Sequence, residues 1–488
     1  MTVGSAENLL LHPRWQAKDL GLPMPNSVHA ASACLPLWEH NVRYEEGDPE
    51  VVGKLESGYP RFCFHPLVRK LCRQTFGEEG VGLIFPTHRV AQRAADFVVH
   101  RGGQRPQLVP LADGQTTGVR TGTDDFGKLK EYWQHSGEIL SSRSAQSLLS
   151  GGTVRYSQTA ERQKLRERLA QFGGCSANDV WLFPCGMTAI ATVWRAVEKI
   201  RPGLPSVQFG FPYVDTLKIQ QRFGTGRYHF LPQGNTNSLS ELRDVLQSTP
   251  ISAVYCETPT NPLLTSPDLK ALRSLADEFG FVLVVDDTLA AIVNDNVLPL
   301  ADVAVTSLTK FFSGYGDVLA GSARLNDSSR YATALRTAIT NDFEELLSDG
   351  DAEVLERNSR DVQERMKIIN HNAAVLAERF AKHPAVDRVH YPNPGAAGTG
   401  REGRGGLMSV VLKNPSLMTP VVYDRLQVCK GPNLGTNFTL CCPYTILAHY
   451  TELDAVEDCG VSRWLLRISV GVEPVEELWQ RFESALNG

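Results

Sequence analysis

Between Glu161 and Lys310 the chain alternates helix-like stretches with short β-branched and aromatic runs, and this alternation restricts the fold more than any other feature. Residues 162–172 and 189–200 carry apolar side chains at helical spacing, as do residues 268–279 with Leu269, Leu272 and Leu275. Strand candidates stand at 206–211, 228–231, 252–256, 281–286 and 303–307. Strands recurring every ~20–30 residues with helices between them imply βαβ units and a largely parallel sheet. Such a sheet takes its ligands at the carboxyl ends of its strands.

The rest of the chain reads differently. Residues 1–150 are irregular and rich in Pro and Gly, with two modest amphipathic helices at 67–76 and 87–99 and a brief strand in GEEGVGLIFP between them. After Asn326 a long polar helical region at 331–382 precedes strands at 407–412 and 464–470 and a closing helix at 475–486. At 488 residues the chain is long enough for several domains. The reading is an N-terminal extension at 1–150, an α/β domain at 151–330 and a smaller α+β domain at 331–488.

Composition excludes several classes of function. With 49 basic and 54 acidic residues the net charge is −5, unlike the basic stripe of a nucleic-acid binder. No apolar run approaches the ~18–20 residues that span a bilayer, so no membrane partner is expected. The opening MTVGSAENLLLHPRW has no basic segment followed by an apolar block, so no secretory leader is read. The 10 cysteines are scattered without a CxxC pair, as expected of reduced thiols in a cytoplasmic protein with no metal site. Cys441-Cys442 read as buried small hydrophobes, and His390 and His449 as structural.

The polar residues at the strand ends form a chemical set. The strand at 252–256 runs into Glu257-Thr-Pro-Thr-Asn261-Pro262, and that at 281–286 into Asp286-Asp287-Thr288. The strand at 303–305 runs into Thr306-Ser307-Leu308-Thr309-Lys310. Upstream, Pro184-Cys185-Gly186-Met187-Thr188 opens a helix whose free N–H groups suit an anion. Neither a GxGxxG turn nor a P-loop pattern is present. An amine, a carboxylate, hydroxyls and an anion cradle in this order fit pyridoxal 5'-phosphate. The lysine would form the Schiff base, the carboxylate would keep the pyridine nitrogen protonated, and the helix start and hydroxyls would hold the phosphate.

SLTK followed by FFSGYGDVLAG, the ETPTNP segment, VVDDT and the late LLRISVGVE together resemble the Cys/Met-metabolism pyridoxal-phosphate family, from about residue 180 to 475. The resemblance implies a fold type I (aspartate-aminotransferase-like) architecture. It matches Lys310 to the Schiff-base lysine and Asp286 to the partner of the ring nitrogen. Gly186, Met187, Ser307 and Thr309 match the phosphate contacts, and Tyr213 in FPYVDT the tyrosine that stacks on the ring and assists proton transfer. Asn261 matches the asparagine near substrate and ring oxygen, and Arg467 the clamp on the substrate α-carboxylate, a task suited to a bidentate fork. The family's Tyr-x-Arg, which reaches the neighbouring subunit's phosphate, is met here by Arg155-Tyr156 in reverse order. Its Ser-Leu-Gly near the substrate is Asn433-Leu434-Gly435, preceded by Pro432 where some relatives carry an acidic residue. NLGTNFTLCCPYTILAHY and the long extension resemble the fungal-type branch of γ-synthases.

The implied activity is a γ-replacement on an O-activated homoserine, with the acetyl ester as the expected form, by way of a vinylglycine-type ketimine. The second substrate would be a thiol such as cysteine, or an amine or carbon nucleophile of a specialised pathway. A γ- or β-lyase of cystathionine or methionine is the alternative within the class, and a catalytically silent scaffold the alternative outside it. The family implies a homodimer or homotetramer with a shared active site.

Overall fold

The computed structural model describes residues 8–59, 61–393 and 403–488; residues 1–7, on which the leader reading partly rests, lie outside them. A seven-stranded sheet occupies the centre, in the order Val180–Phe183, Gly321–Leu325, Val303–Ser307, Val282–Asp286, Ala253–Glu257, Ser206–Phe209, Tyr228–Leu231. Neighbours pair in parallel except at Gly321–Leu325, which runs against both its partners. The architecture is therefore α/β with a mostly parallel sheet, as the alternation predicts.

A parallel sheet is covered on both faces, so its strands are apolar without interruption. In Val282–Asp286 the alternation sends Val282 and Val284 into one layer with Ile190, Val193 and Leu335. Leu283 and Val285 enter the other layer with Leu242, Leu272 and Leu275. Each fully buried side chain of this kind stabilises the fold by roughly 1.5–3 kcal/mol. The helix Leu269–Phe279 shows the local logic. Asp268 caps it by accepting the Ala271 N–H at 3.0 Å, Leu269, Leu272 and Leu275 face the sheet, and Gly280 ends it at φ 72°.

Sequence reasoning missed the strand Gly321–Leu325. Its Ser322 and Arg324 are both fully buried, and Arg324 pairs with Asp287 beneath the sheet. The region expected as one long helical stretch at 331–382 is three helices, Ala332–Asp342, Asp349–Asn358 and Val362–Lys382. A second sheet follows, in the order Val386–His390, Leu407–Leu412, Leu466–Ser469, Leu440–Pro443, Cys429–Lys430. Val362–Lys382 and Val475–Asn487 pack on it.

The N-terminal region is more ordered than its sequence suggests. Gly82–Phe85, Thr117–Arg120 and Gln107–Pro110 form an antiparallel sheet with the middle range at its centre. The helices His88–His100 and Phe126–Ser136 close a core on it with Phe85, Val90, Phe97 and Trp133. Strands of four residues, one of them exposed, are too short to show a two-residue period.

Candidate active site

The carboxyl ends of the central strands meet at one cavity, lined by Gly186, Met187, Tyr213, Asn261, Asp286, Ser307, Thr309, Lys310 and Arg467. Nine of the positions singled out in the sequence thus come together. Strand alternation separates the two adjacent aspartates. Asp287 turns under the sheet, where it accepts the Thr306 hydroxyl at 2.5 Å and pairs with Arg324. Asp286 faces the cavity and accepts the Thr288 N–H at 2.8 Å. Burial pushes its carboxyl up to about 6. Glu257, hydrogen-bond-register partner of Asp286 on the next strand, lies beside it. Burial, and after it the Asp286 charge, raise the Glu257 carboxyl far above the ordinary range. Glu257 is occupied by the backbone N–H groups of Tyr213 and Asn261, which leaves Asp286 as the carboxyl open to a cationic partner in the cavity.

Lys310 is buried, with Nζ donating to the Asn433 Oδ1 at 2.7 Å and standing 4.1 Å from the centre of the Tyr59 ring. Burial, and then the charges of Arg467 and Arg61, pull its amine far below the usual lysine range. A neutral amine is the nucleophilic form. Asn433 itself is 2% exposed, and its Nδ2 has no hydrogen-bond partner among the described residues. Arg467, on Leu466–Ser469, donates to the Pro432 carbonyl at 2.6 Å and to the Asn261 Oδ1 at 3.4 Å, and lies 4.7 Å from the Tyr444 ring centre. No carboxylate pairs with this buried guanidinium among the described residues.

The helix Gly186–Ile200 begins at the cavity, and Cys185 before it gives no side-chain cap. Its first N–H groups are therefore among the unsatisfied donors of a helix start. A Cβ at position 186 would lie 2.7 Å from the Ser307 Cβ, so only glycine lets the helix end and the Ser307 strand approach this closely. The Thr309 hydroxyl is engaged with the backbone of Ala320, accepting its N–H at 3.0 Å.

Arg155 and Tyr156 do not join the cavity: Arg155 is exposed, Tyr156 half-buried, and neither lines it. The Tyr-x-Arg order occurs instead at Tyr59 and Arg61, and the same chain brings both to the cavity. Tyr44, Glu45 and Phe62 of the N-terminal region line it too. The Tyr-x-Arg order was in the sequence, but in the N-terminal region, far ahead of the Arg155-Tyr156 pair that the resemblance singled out.

The profile of the family described as Cys/Met metabolism PLP-dependent enzyme matches residues 144–487. The chain belongs to this family. It is 34% identical to a cystathionine gamma-synthase of Neurospora crassa, over 96% of this chain and 98% of the relative. It is 33% identical to an L-2-amino-4-chloropent-4-enoate dechlorinase/desaturase of Streptantibioticus cattleyicolor, over 96% and 98%. Among solved structures, cystathionine gamma synthase of Xanthomonas oryzae pv. oryzae, in complex with aminoacrylate and cysteine, superposes with a TM-score of 0.59 at 26% identity. That match covers 67% of this chain and 86% of the other. The fold is thus the fold type I architecture of the cystathionine gamma-synthase group. The protein is a pyridoxal-phosphate enzyme of the cystathionine gamma-synthase-like kind, and the scaffold alternative falls. No helix of the described residues is long and apolar enough to cross a membrane.

The cavity fits this cofactor. It offers a buried amine, the Asp286 carboxyl open to a cationic partner, and an uncapped helix start that a single Cβ would obstruct. Gly186→Ala should therefore weaken cofactor binding by about 10- to 100-fold, the effect of roughly 1–3 kcal/mol of overpacking. Titration of the cofactor-free protein with pyridoxal phosphate, read by tryptophan quenching, checks this; an unchanged Kd would refute the cradle.

Proposed function

We propose that this chain catalyses a γ-replacement on an O-activated homoserine, with the acetyl ester as the donor, joining the four-carbon unit to a thiol, amine or carbon nucleophile. The observation that carries this reading is Arg467: a buried guanidinium, free of any acidic partner among the described residues, beside the buried amine of Lys310. A buried cation of this kind is costly unless an anion completes it, and the α-carboxylate of an amino acid is the matching fork.

The roles then follow residue by residue. Gly186, Met187, Ser307 and Thr309 hold the phosphate, with Thr309 turning its hydroxyl from Ala320, and Asp286 holds the ring nitrogen. Once bound, pyridoxal phosphate supplies a carbonyl that captures amines and a ring that takes up an electron pair. Lys310 Nζ would accept the proton from the substrate's α-carbon, hand it on to the carbon that joins substrate to cofactor, and, neutral again, accept one from the β-carbon, after which the substituent leaves the γ-carbon with its bonding electron pair. Asn433 aims the Lys310 amine, and Arg467 with Asn261 orients the substrate carboxylate. Tyr213 moves a proton beside the ring. The chemistry fits the Streptantibioticus relative, whose name places a chlorine on carbon 4 of its amino acid. That relative also favours the second reading, a lyase that eliminates without a nucleophile.

Incubation of the purified enzyme with O-acetylhomoserine and a panel of thiols, amines and β-keto acids, followed by mass spectrometry, decides between them. A product that has lost acetate and gained the nucleophile supports replacement. Ammonia and a 2-oxo acid formed at full rate without any nucleophile would establish the lyase.

A homodimer or homotetramer is part of the same reading, resting on the family. The tyrosine and arginine that the family draws from a neighbour have counterparts in Tyr59 and Arg61 of this same chain. Mixing the two inactive variants Lys310→Ala and Arg61→Ala under conditions of subunit exchange is therefore expected to restore no activity. Recovery to about a quarter of wild type or more would mean that sites are shared.

A further inference from the structure

A buried line of polar side chains runs away from the cavity behind Tyr213. The Arg61 guanidinium donates to the Tyr213 hydroxyl at 2.5 Å and, through its other nitrogen, to the Gln134 carbonyl at 3.1 Å. That second nitrogen also pairs with Asp215. The other oxygen of Asp215 lies 2.8 Å from the His135 Nδ1. Asp215 is 0% exposed, Arg61 4% and His135 8%.

Three separate segments converge here. Arg61 belongs to the N-terminal region, His135 to the helix Phe126–Ser136, and Asp215 to the helix Val214–Arg222, two residues after Tyr213. Arg61 sits at φ 81°, a conformation that a residue with a side chain adopts only when its surroundings hold it there. A plain ion pair would satisfy Arg61 and Asp215, but it would not need the guanidinium to span two groups. Here one edge meets a carboxylate and the other a phenol that lines the site.

The direction of the hydrogen bond matters. Because Arg61 donates to the phenol oxygen, the hydrogen of Tyr213 is left for another acceptor. The positive charge favours loss of that hydrogen, while burial and the nearby carboxylate oppose it. Asp215 thus does two things at once. It fixes the rotamer of Arg61, and it offsets part of the charge that Arg61 presents to Tyr213.

We propose that Asp215, braced by His135, is a positioning residue that acts through Arg61 to set the aim and the proton affinity of Tyr213. The proposal rests on the reading of Tyr213 as a proton-moving group, and its test is separable from that reading. Holoenzyme without substrate would be prepared with 3-fluorotyrosine, whose phenol ionises at lower pH than tyrosine's. The Tyr213 signal would be identified by its loss in Tyr213→Phe. In Asp215→Asn the amide oxygen can still accept from Arg61 while the countercharge is gone, so the fluorine signal should shift and titrate at least about one pH unit lower.

In an Arg61→Met background the effect of Asp215→Asn should shrink to less than half, to what the carboxylate exerts on the phenol directly, since the link is removed. An unchanged signal and midpoint in Asp215→Asn would overturn the proposal. So would a shift of undiminished size in the Arg61→Met background, which would make Asp215 act without Arg61. If Arg61→Met does not fold, Arg61→Gln serves with the same two outcomes, because it removes the charge while keeping a polar side chain in the buried site. Turnover of Tyr213→Phe is measured separately: full activity there would defeat the proton-transfer reading and leave the coupling measurement standing.

Discussion

Replacing Lys310 with alanine is expected to lower turnover by about 10⁴-fold or more, the scale of losing both a covalent attachment point and an acid–base group. The fold should tolerate the change. The side chain is buried and held by one hydrogen bond to Asn433, and no acidic partner among the described residues is stranded when it goes. The discriminating measurement is covalent. After borohydride reduction of the holoenzyme, peptide mass spectrometry should find the cofactor mass on the peptide containing Lys310. The same treatment of Lys310→Ala should leave the cofactor dialysable. Cofactor found on another lysine of the wild type would dismiss the assignment, whatever the activity of the variant. Neither Lys430, held by the carbonyls of Pro36 and Asp424, nor any other lysine lines the cavity.

Asp286→Asn is the second large effect, and it runs in two directions. Turnover should fall by on the order of 10³-fold, because the electrostatic partner of a bound pyridine nitrogen is lost. The cofactor-free protein, by contrast, should become more stable at neutral and alkaline pH. The sign follows from proton linkage. Burial raises the folded-state carboxyl of Asp286 to about 6, above the ~3.9 of an unfolded aspartate. The folded chain therefore holds a proton that the unfolded chain releases. The resulting cost is absent below about pH 4, grows between 4 and 6, and is complete above 6.

Asparagine removes that cost, worth up to about 3 kcal/mol, while its Oδ1 can still accept the Thr288 N–H. Urea midpoints of both cofactor-free proteins between pH 4 and 8 check it. Superimposable pH curves would mean that Asp286 is not the strained group. Glu257 beside it loses a like-charge neighbour in the variant, which adds to the gain.

Much of the site was legible because its chemistry lies at predictable places. In a parallel sheet the carboxyl end of every strand points the same way, so Glu257, Asp286 and Ser307 had to arrive together once their strands were read. The choice between Asp286 and Asp287 follows from the two-residue alternation of a strand, but the sequence does not say which face holds the cavity. Arg324 settles it from beneath the sheet. Arg467 comes from the second sheet and Asn433 from the loop between two of its strands, and the family pattern alone brought them into consideration.

The sequence by itself determined the alternation, the parallel sheet and the order in which amine, carboxylate and helix start reach the cavity. These are properties of local periodicity and of strand direction, and both are written in neighbouring residues. Only the tertiary structure decided what fills the remaining wall of the cavity. Tyr59 and Arg61 lie more than a hundred residues before the first central strand, and Asp215 and His135 become neighbours only when three segments pack together. No spacing rule connects such positions, because their meeting depends on side-chain volume and on the pairing of buried charges across the whole fold.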